Sequence, residues 1–283
     1  MAAYDEELSR QYHSLRLYYG IYDEQNVPYR IGDNQTTVLD RTERYYDTWI
    51  NFHLIPAERP IVQMQKVKTK VVSIPGRKNP IDMSNYLTGH NTFSNCNGTW
   101  TFYVDNDFVN NNGGWIAFDK YLRDIIHGHL FKVVLRDDPH YFYFGELTFG
   151  QWNTGANFSN VSISYNLYPY KKSYTSTLDM WKFDDFDFTD DIIQYMKDMD
   201  ISGTRTVQVI GSPERVSPHI SGTSGLVVEK YENSTWVNYG NVPTYSIDDP
   251  KSIIPRLIIG DGINRLRFRG NGTVTIDYRR GLL

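Results

Sequence analysis

The sequence has almost no cysteine, and among its 283 residues only Cys96 carries a thiol. A single cysteine excludes an internal disulfide framework and is compatible with synthesis in a reducing compartment. No apolar run approaches the ~18 residues that a membrane-spanning helix needs. The first residues are acidic and lack the basic and apolar regions of a secretory signal, so we expect no signal peptide and no membrane insertion.

The sequence also has fewer basic than acidic residues. The formal net charge is -4 at pH 7 and the pI is about 6.0, so the chain as a whole has no nucleic-acid-binding footprint. Aromatic residues are abundant at 15 %, and tyrosine contributes most of them. Because aromatic side chains fit pleated, half-buried surfaces, the composition favours β structure. The length suffices for about two domains with their own cores.

The clearest pattern lies between Gly113 and Lys171. Apolar residues from Ile116 to Ile126 recur at three- and four-residue spacing, which predicts an amphipathic helix. Gly128 follows, where a left-handed C-terminal cap strains glycine least. Alternation and buried runs then predict three strands, over residues 130–136, 141–147 and 161–167. We therefore expect a helix packed on an antiparallel sheet.

The character of the sequence changes after Lys172, and we predict two domains, residues 1–172 and residues 173–283. The second has short segments of strand character separated by turn residues, a pattern typical of a compact β-sandwich. The strands are predicted over residues 204–210, 226–231, 236–239, 256–259, 264–269 and 273–278.

The last two of these strands are predicted to form a hairpin, because Asn271-Gly272 lies between them and both positions tolerate positive φ. Five apolar side chains should face the core: Leu266, Phe268, Val274, Ile276 and Tyr278. Arg265, Arg267 and Arg269 should point the other way. This arginine stripe is either a solvated face or a docking surface for an acidic partner.

Two clusters have the residue types of metal ligands but not the spacing. Asp185 and Asp187 lie in an acidic segment, residues 179–200, yet the glycine and terminal glutamate of a calcium loop are missing. A solvated acidic segment is the interpretation. His127 and His129 lack further ligands at zinc spacing, and a histidine at a helix C-terminus interacts favourably with the helix dipole.

No catalytic constellation is found. Residues 222–225 fall one residue short of a nucleophile elbow, and the phosphate-loop pattern is absent. We therefore predict that the protein is not an enzyme and has no cofactor, no metal and no catalytic residue. Several aromatic residues are candidates either for stacking on sugar rings or for core and interface packing: Trp181, Tyr231, Trp236 and Tyr239.

Several segments, in their order and spacing, resemble the distal tail proteins (Dit) of long-tailed, siphovirus-type phages and prophages. They are residues 48–56, 68–77, 81–89, 126–128, 137–145, 168–171 and 262–281. The resemblance covers most of the chain from Tyr46 onward. It implies a mainly β fold, with an N-terminal β-sandwich or split barrel that carries one packed α-helix and a C-terminal galectin-like β-sandwich.

The resemblance also implies a structural role in the virion, at the tail tip or baseplate, after synthesis in the host bacterial cytoplasm. Dit proteins form a homo-oligomeric ring, usually hexameric, through their N-terminal domain. Their partners are further copies of themselves, the tail tube protein, the tail-tip or tail-associated lysin protein, and receptor-binding proteins or a host glycan. A carbohydrate-binding module or adhesin acting in host-surface recognition is the alternative, supported by the aromatic candidates and the sandwich fold.

Overall fold

The computed structural model describes residues 7–8, 11–19, 45–76, 78–84, 86, 90–155, 157–180 and 194–283. In this part of the chain two compact units are present, one within residues 7–171 and one within residues 172–282. Both are mainly β, which confirms the predicted fold class. That residues 1–172 and 173–283 are independently folding domains stays a prediction.

The first unit is built on a large antiparallel sheet. Its strands are β1 (Leu15–Tyr19), β2 (Tyr45–Asp47), β3 (Leu54–Pro56), β6 (Cys96–Asp105), β7 (His129–Leu135), β8 (Tyr141–Thr154) and β9 (Phe158–Leu167). They lie in the order β2-β1-β7-β8-β9-β6-β3. Two further short strands, β4 (Val71–Val72) and β5 (Ile81–Asp82), pair only with each other.

Among the described residues, two helices between residues 106 and 126 accompany this sheet, whereas one packed helix was expected. Helix α1 (Asn106–Asn111) was not predicted, and it begins where the Asp105 side chain accepts a hydrogen bond from the Asp107 N–H at 3.0 Å. Helix α2 (Gly114–Ile126) confirms the predicted helix, and Gly128 beyond it has φ +73°. Among the described residues no helix is both long and apolar enough to cross a membrane.

The core of the first unit lies between the helices and the sheet. Phe118, Leu122 and Ile126 of α2 are buried, and Phe118 meets the ring of Trp152 on β8 edge-on at 6.0 Å. Ile116 and Tyr121, which belong to the predicted apolar stripe, are instead 68 % and 47 % exposed. The helix therefore packs through a narrower stripe than the sequence predicted. Each buried aliphatic or aromatic side chain contributes about 1.5–3 kcal/mol.

The second unit has one main sheet. Its strands are β11 (Met199–Ile210), β12 (His219–Gly222), β13 (Val227–Glu232), β14 (Thr235–Asn241) and β15 (Ile263–Asp277), in the order β11-β15-β13-β14 with β12 also paired to β15. Strands β10 (Lys171–Ser173) and β16 (Gly281–Leu282) pair with each other, and residues Pro250–Ser252 form a 3-10 turn. The predicted strand at residues 256–259 is wrong, since Ile259 makes only an isolated bridge with Val216.

The predicted hairpin at Asn271-Gly272 is also wrong, because β15 runs straight through it. Asn271 lies opposite Ser202 and Gly272 opposite Ile201, both within β11. Along its other edge β15 changes partner, from β13 near Phe268 to β12 beyond it. Gly272 has φ +145°, and a Cβ there would lie 2.4 Å from the Thr223 Cβ. The glycine therefore permits the close approach of the Thr223 side chain and does not form a turn.

Candidate partner-docking surface

The arginine stripe lies on the face of β15 opposite the core. Leu266, Phe268, Val274, Ile276 and Tyr278 are all at most 3 % exposed, which confirms the predicted core face. Arg265 and Arg269 are exposed, as expected. Arg267, between them, is not, since only 18 % of its side chain is accessible. Arg267 thus lies on the predicted outer face, but its side chain is largely covered there.

Glu229 of β13 explains the burial of Arg267. The two residues are direct partners across the β13–β15 pair. The Arg267 Nε donates to the Glu229 Oε2 at 2.5 Å, and the Arg269 Nε lies 3.1 Å from the same oxygen. Glu229 itself is only 8 % exposed. One carboxylate thus neutralises much of the stripe, and charge-assisted hydrogen bonds of this kind are among the strong ones.

Aromatic rings continue this face toward the edge strand β14. The Arg267 guanidinium carbon lies 4.1 Å from the centroid of the Trp236 ring, within the range of a cation–π contact. Tyr231 meets Trp236 edge-on at 5.2 Å, because the two residues are partners across the β13–β14 pair. One face of Trp236 is thereby covered by Arg267. Tyr231 stays 40 % exposed, and Trp181 lies outside the described residues.

Tyr239, the remaining aromatic candidate, belongs to a cluster of polar side chains within the second unit. Its Oη donates to the Glu232 Oε2 at 2.9 Å, and Lys230 Nζ lies 2.8 Å from the other oxygen of the same carboxylate. Burial and the neighbouring Glu232 raise the pKa of Tyr239 to about 12. Burial acts to raise the pKa of Glu232, but the hydrogen bonds from Lys230 and Tyr239 outweigh it and lower that pKa. The cluster ties β13 to β14.

The metal-ligand candidates have ordinary surroundings. His127 caps the C-terminus of α2, where its N–H donates to the Arg123 carbonyl at 3.0 Å, and His129 begins β7. In the described part of the chain no three His, Cys, Asp or Glu residues are placed to hold a metal ion. Asp185 and Asp187 lie outside that part.

Cys96 is buried in the core of the first unit. That burial raises the pKa of its thiol. Because the thiolate is the reactive form, Cys96 has the surroundings of an unreactive structural residue.

A serine–histidine pair, which the sequence did not reveal, lies in the second unit. The Ser252 Oγ is 2.6 Å from the His219 Nδ1, and Asp277 is the cross-strand partner of His219. The three residue types are those of a catalytic triad. However, Ser252 is completely buried, and its Oγ also donates to the Ile247 carbonyl at 3.2 Å.

The cavity beside His219 and Asp277 has a volume of about 10 Å³. That is room for about one water molecule. Ser252 therefore has no side-chain surface open to solvent in this arrangement.

The fold is the one that the resemblance to the phage distal tail proteins implied, since the chain matches a solved structure of such a protein. One solved structure that the chain matches is the crystal structure of the Dit protein (gp 19.1) of phage SPP1, described as a paradigm of the hub adsorption apparatus in phages that infect Gram-positive bacteria. The match covers 80 % of this chain and 93 % of that one, with a TM-score of 0.52 and 12 % identity. No protein-family model matches the chain, and no curated protein matches its sequence.

Proposed function

We propose that this protein is a structural component of a phage tail tip, a distal tail hub that joins the tail tube to the tail-tip and receptor-binding proteins. The observation that carries the proposal is the agreement of fold with a hub protein over 93 % of that protein's length. The buried state of Ser252 and Cys96 also favours a structural role over an enzymatic one.

The hub is a ring of identical copies, hexameric if it follows the Dit resemblance. A ring forms when one patch of a protein docks on a different patch of the next copy and the rotation closes. The first unit, with its extended sheet, forms the ring, and residues 1–172 alone are expected to assemble. The virion tail tip is its location, after synthesis in the bacterial cytoplasm.

The outer face of the second unit is the proposed docking site for an acidic partner protein of the tip. Arg265 and Arg269 are its exposed charges, and Arg267 is held between Glu229 and Trp236 as a rigid support. A face with fixed positive charge selects acidic partners and speeds their encounter. Reversing Arg265 and Arg269 to glutamate should abolish capture of the cognate tip protein while the ring remains intact.

Particle mass in solution, together with single-particle imaging, tests the proposal. A ring of several 33.0 kDa copies supports the hub, whereas a folded monomer at every concentration opposes it. The same measurement on residues 1–172 tests which unit makes the ring. A ring from the full chain together with a monomer from residues 1–172 would assign ring formation to a larger part of the chain.

A carbohydrate-binding module is the second candidate, and Tyr231 is the observation that favours it. Its ring is 40 % exposed on the face that also carries Trp236 and the arginines. Sugar rings can stack on amphipathic aromatic side chains of this kind. Calorimetric titration of purified host cell-wall polysaccharide, with Tyr231→Ala as the matched variant, distinguishes the two. Binding that depends on Tyr231 in a monomeric protein would favour the module over the hub.

A further inference from the structure

One segment of the first unit has no core of its own. From Ile61 to Asn95 no described residue is buried, and we call this segment the arm. Its two legs pair with each other: the Lys68 N–H donates to the Thr92 carbonyl at 2.8 Å, Val67 bridges Phe93, and β4 pairs with β5. An isolated two-stranded ribbon is at best marginally stable in water.

The arm nevertheless exposes large apolar side chains. Their accessible fractions run from 43 % to 91 %, and they belong to Ile61, Met64, Val67, Val71, Ile74 and Tyr86. Contiguous exposed apolar surface on a soluble protein marks an interaction site. Methionine and tyrosine, the two most exposed here, are enriched in protein interfaces.

The charge of the arm points to its partner. The arm contains five basic residues (Lys66, Lys68, Lys70, Arg77 and Lys78) and one acidic residue (Asp82), a net charge of +4. Because the whole chain carries -4, the remainder carries -8. Within the described residues none of the four lysines forms an ion pair. The remainder of the chain, in this copy or in another, therefore has charge of the opposite sign to that of the arm.

The helical layer, residues 105–126, offers a matching surface. It contains four aspartates against Lys120 and Arg123, a net charge of -2. Asp105, Asp107 and Asp124 are exposed. Trp115 and Ile116 are 51 % and 68 % exposed at the start of α2. This layer thus combines negative charge with exposed apolar surface, the complement of the arm.

We infer that the arm of one copy docks on the helical layer of the next copy. Both surfaces are exposed in a single chain, so they do not satisfy each other within one copy. The contact joins two different patches, which is the heterologous arrangement that closes a ring. Edge lysines discourage pairing by strand addition, so the arm docks through its side chains. The inference rests on the proposed hub function.

Disulfide trapping between two variants, each with one added cysteine, tests this contact directly. Val71→Cys places a thiol on the arm and Ile116→Cys places one on the helical layer, and the native Cys96 is buried. The two variants, carrying tags of different mass, are mixed in equal amounts and oxidised with diamide. We expect a heterodimer only in the mixture, and a ladder of linked chains from the double variant. The parent protein is the control.

Charge reversal supplies an independent measurement. Lys68→Glu with Lys70→Glu should raise the concentration needed for half-assembly at least about tenfold, because like charges then face each other. Asp107→Lys with Asp124→Lys, added to the same protein, should restore assembly. Two proteins that each carry only one of the two pairs of substitutions serve as matched controls. Circular dichroism checks that each variant folds.

The outcomes separate the inference from the proposed function. A ring that assembles without the mixed disulfide, or a homodimer from Val71→Cys alone, overturns the arm contact and leaves the hub standing. A parent protein that stays monomeric at every concentration overturns the proposed function and the inference with it. A mixed disulfide together with rescue by the second charge reversal supports both.

Discussion

The two basic surfaces of this protein, the arginine stripe and the arm, differ in how much of their charge is paired within a single chain. The arginine stripe on β15 is compensated within the chain, since Glu229 binds both Arg267 and Arg269 and Trp236 covers one guanidinium. The arm, by contrast, leaves its lysines unpaired among the described residues and its apolar side chains exposed. Most of the stripe's charge is compensated within its own unit, whereas the arm's lysines and apolar side chains have no such compensation among the described residues. Substitutions should therefore affect the stability of one surface and the assembly of the other.

The largest effect is expected beneath the stripe, at Phe268. Its side chain is fully buried, so Phe268→Ala should lower the free energy of unfolding by about 3–5 kcal/mol. Denaturant unfolding, compared at equal slope, measures this. Met64→Ala in the arm is the matched truncation, and as a surface substitution it should stay within about 0.5 kcal/mol. Equal losses at the two positions would remove the distinction between the surfaces.

A smaller loss of stability is expected when the arginine stripe loses Glu229, its acidic partner within the same unit. Glu229→Gln leaves Arg267 half-buried without its carboxylate, which should cost about 1–3 kcal/mol. Arg267→Ala should lower stability by a similar amount, which is more than the about 0.5 kcal/mol expected for the substitution of an exposed arginine. Arg265→Ala is the control, because Arg265 is exposed and contacts no acid in the described residues. If Arg265→Ala were the most harmful of the three, the pairing described here would be contradicted.

Local sequence patterns correctly predicted the elements whose structure depends on residues close together in the chain. The α2 helix, with Phe118, Leu122 and Ile126 inward and Gly128 beyond its end, follows from periodicity and glycine conformational freedom. The alternation in β9 was predicted for the same reason. What the patterns missed depends on residues distant in the chain. Glu229 is 38 positions from Arg267, and no local rule pairs them.

The wrong hairpin at Asn271-Gly272 shows a signal that was present but misapplied. Residues directly opposite each other in a hairpin share a face. A two-residue turn at 271–272 would pair position 268 with 275, yet the apolar residues are Phe268 and Val274. Alternation that keeps its parity across the Asn-Gly pair instead indicates a continuous strand. The parity of buried residues is thus a better guide here than the turn dipeptide.

An alkaline test sharpens the account of the β13–β14 ribbon beside the stripe. The pKa of Tyr239 rises from 10.0 to about 12 in the folded protein. Stability that depends on its neutral form is fully present below pH 10 and is lost as the pH rises through about 12. Tyr239→Phe should therefore reduce the fall in unfolding midpoint between about pH 10 and 12. An unchanged fall would place the alkaline sensitivity elsewhere.

The smallest effect on stability is expected in the arm. Ile74→Ala and Tyr86→Ala should each change the free energy of unfolding by less than about 0.5 kcal/mol, because both side chains are exposed. The same substitutions should weaken assembly, measured as the concentration at which half the chains are in rings. Large destabilisation of the dilute monomer would show that the arm packs within its own chain.

The mass of the purified full chain in solution tests the central claim most directly. Measured by light scattering over a range of concentrations, with imaging of the same sample, it should be a whole-number multiple of 33.0 kDa and correspond to closed rings. A folded protein that remains a 33.0 kDa monomer at every concentration would contradict the hub account.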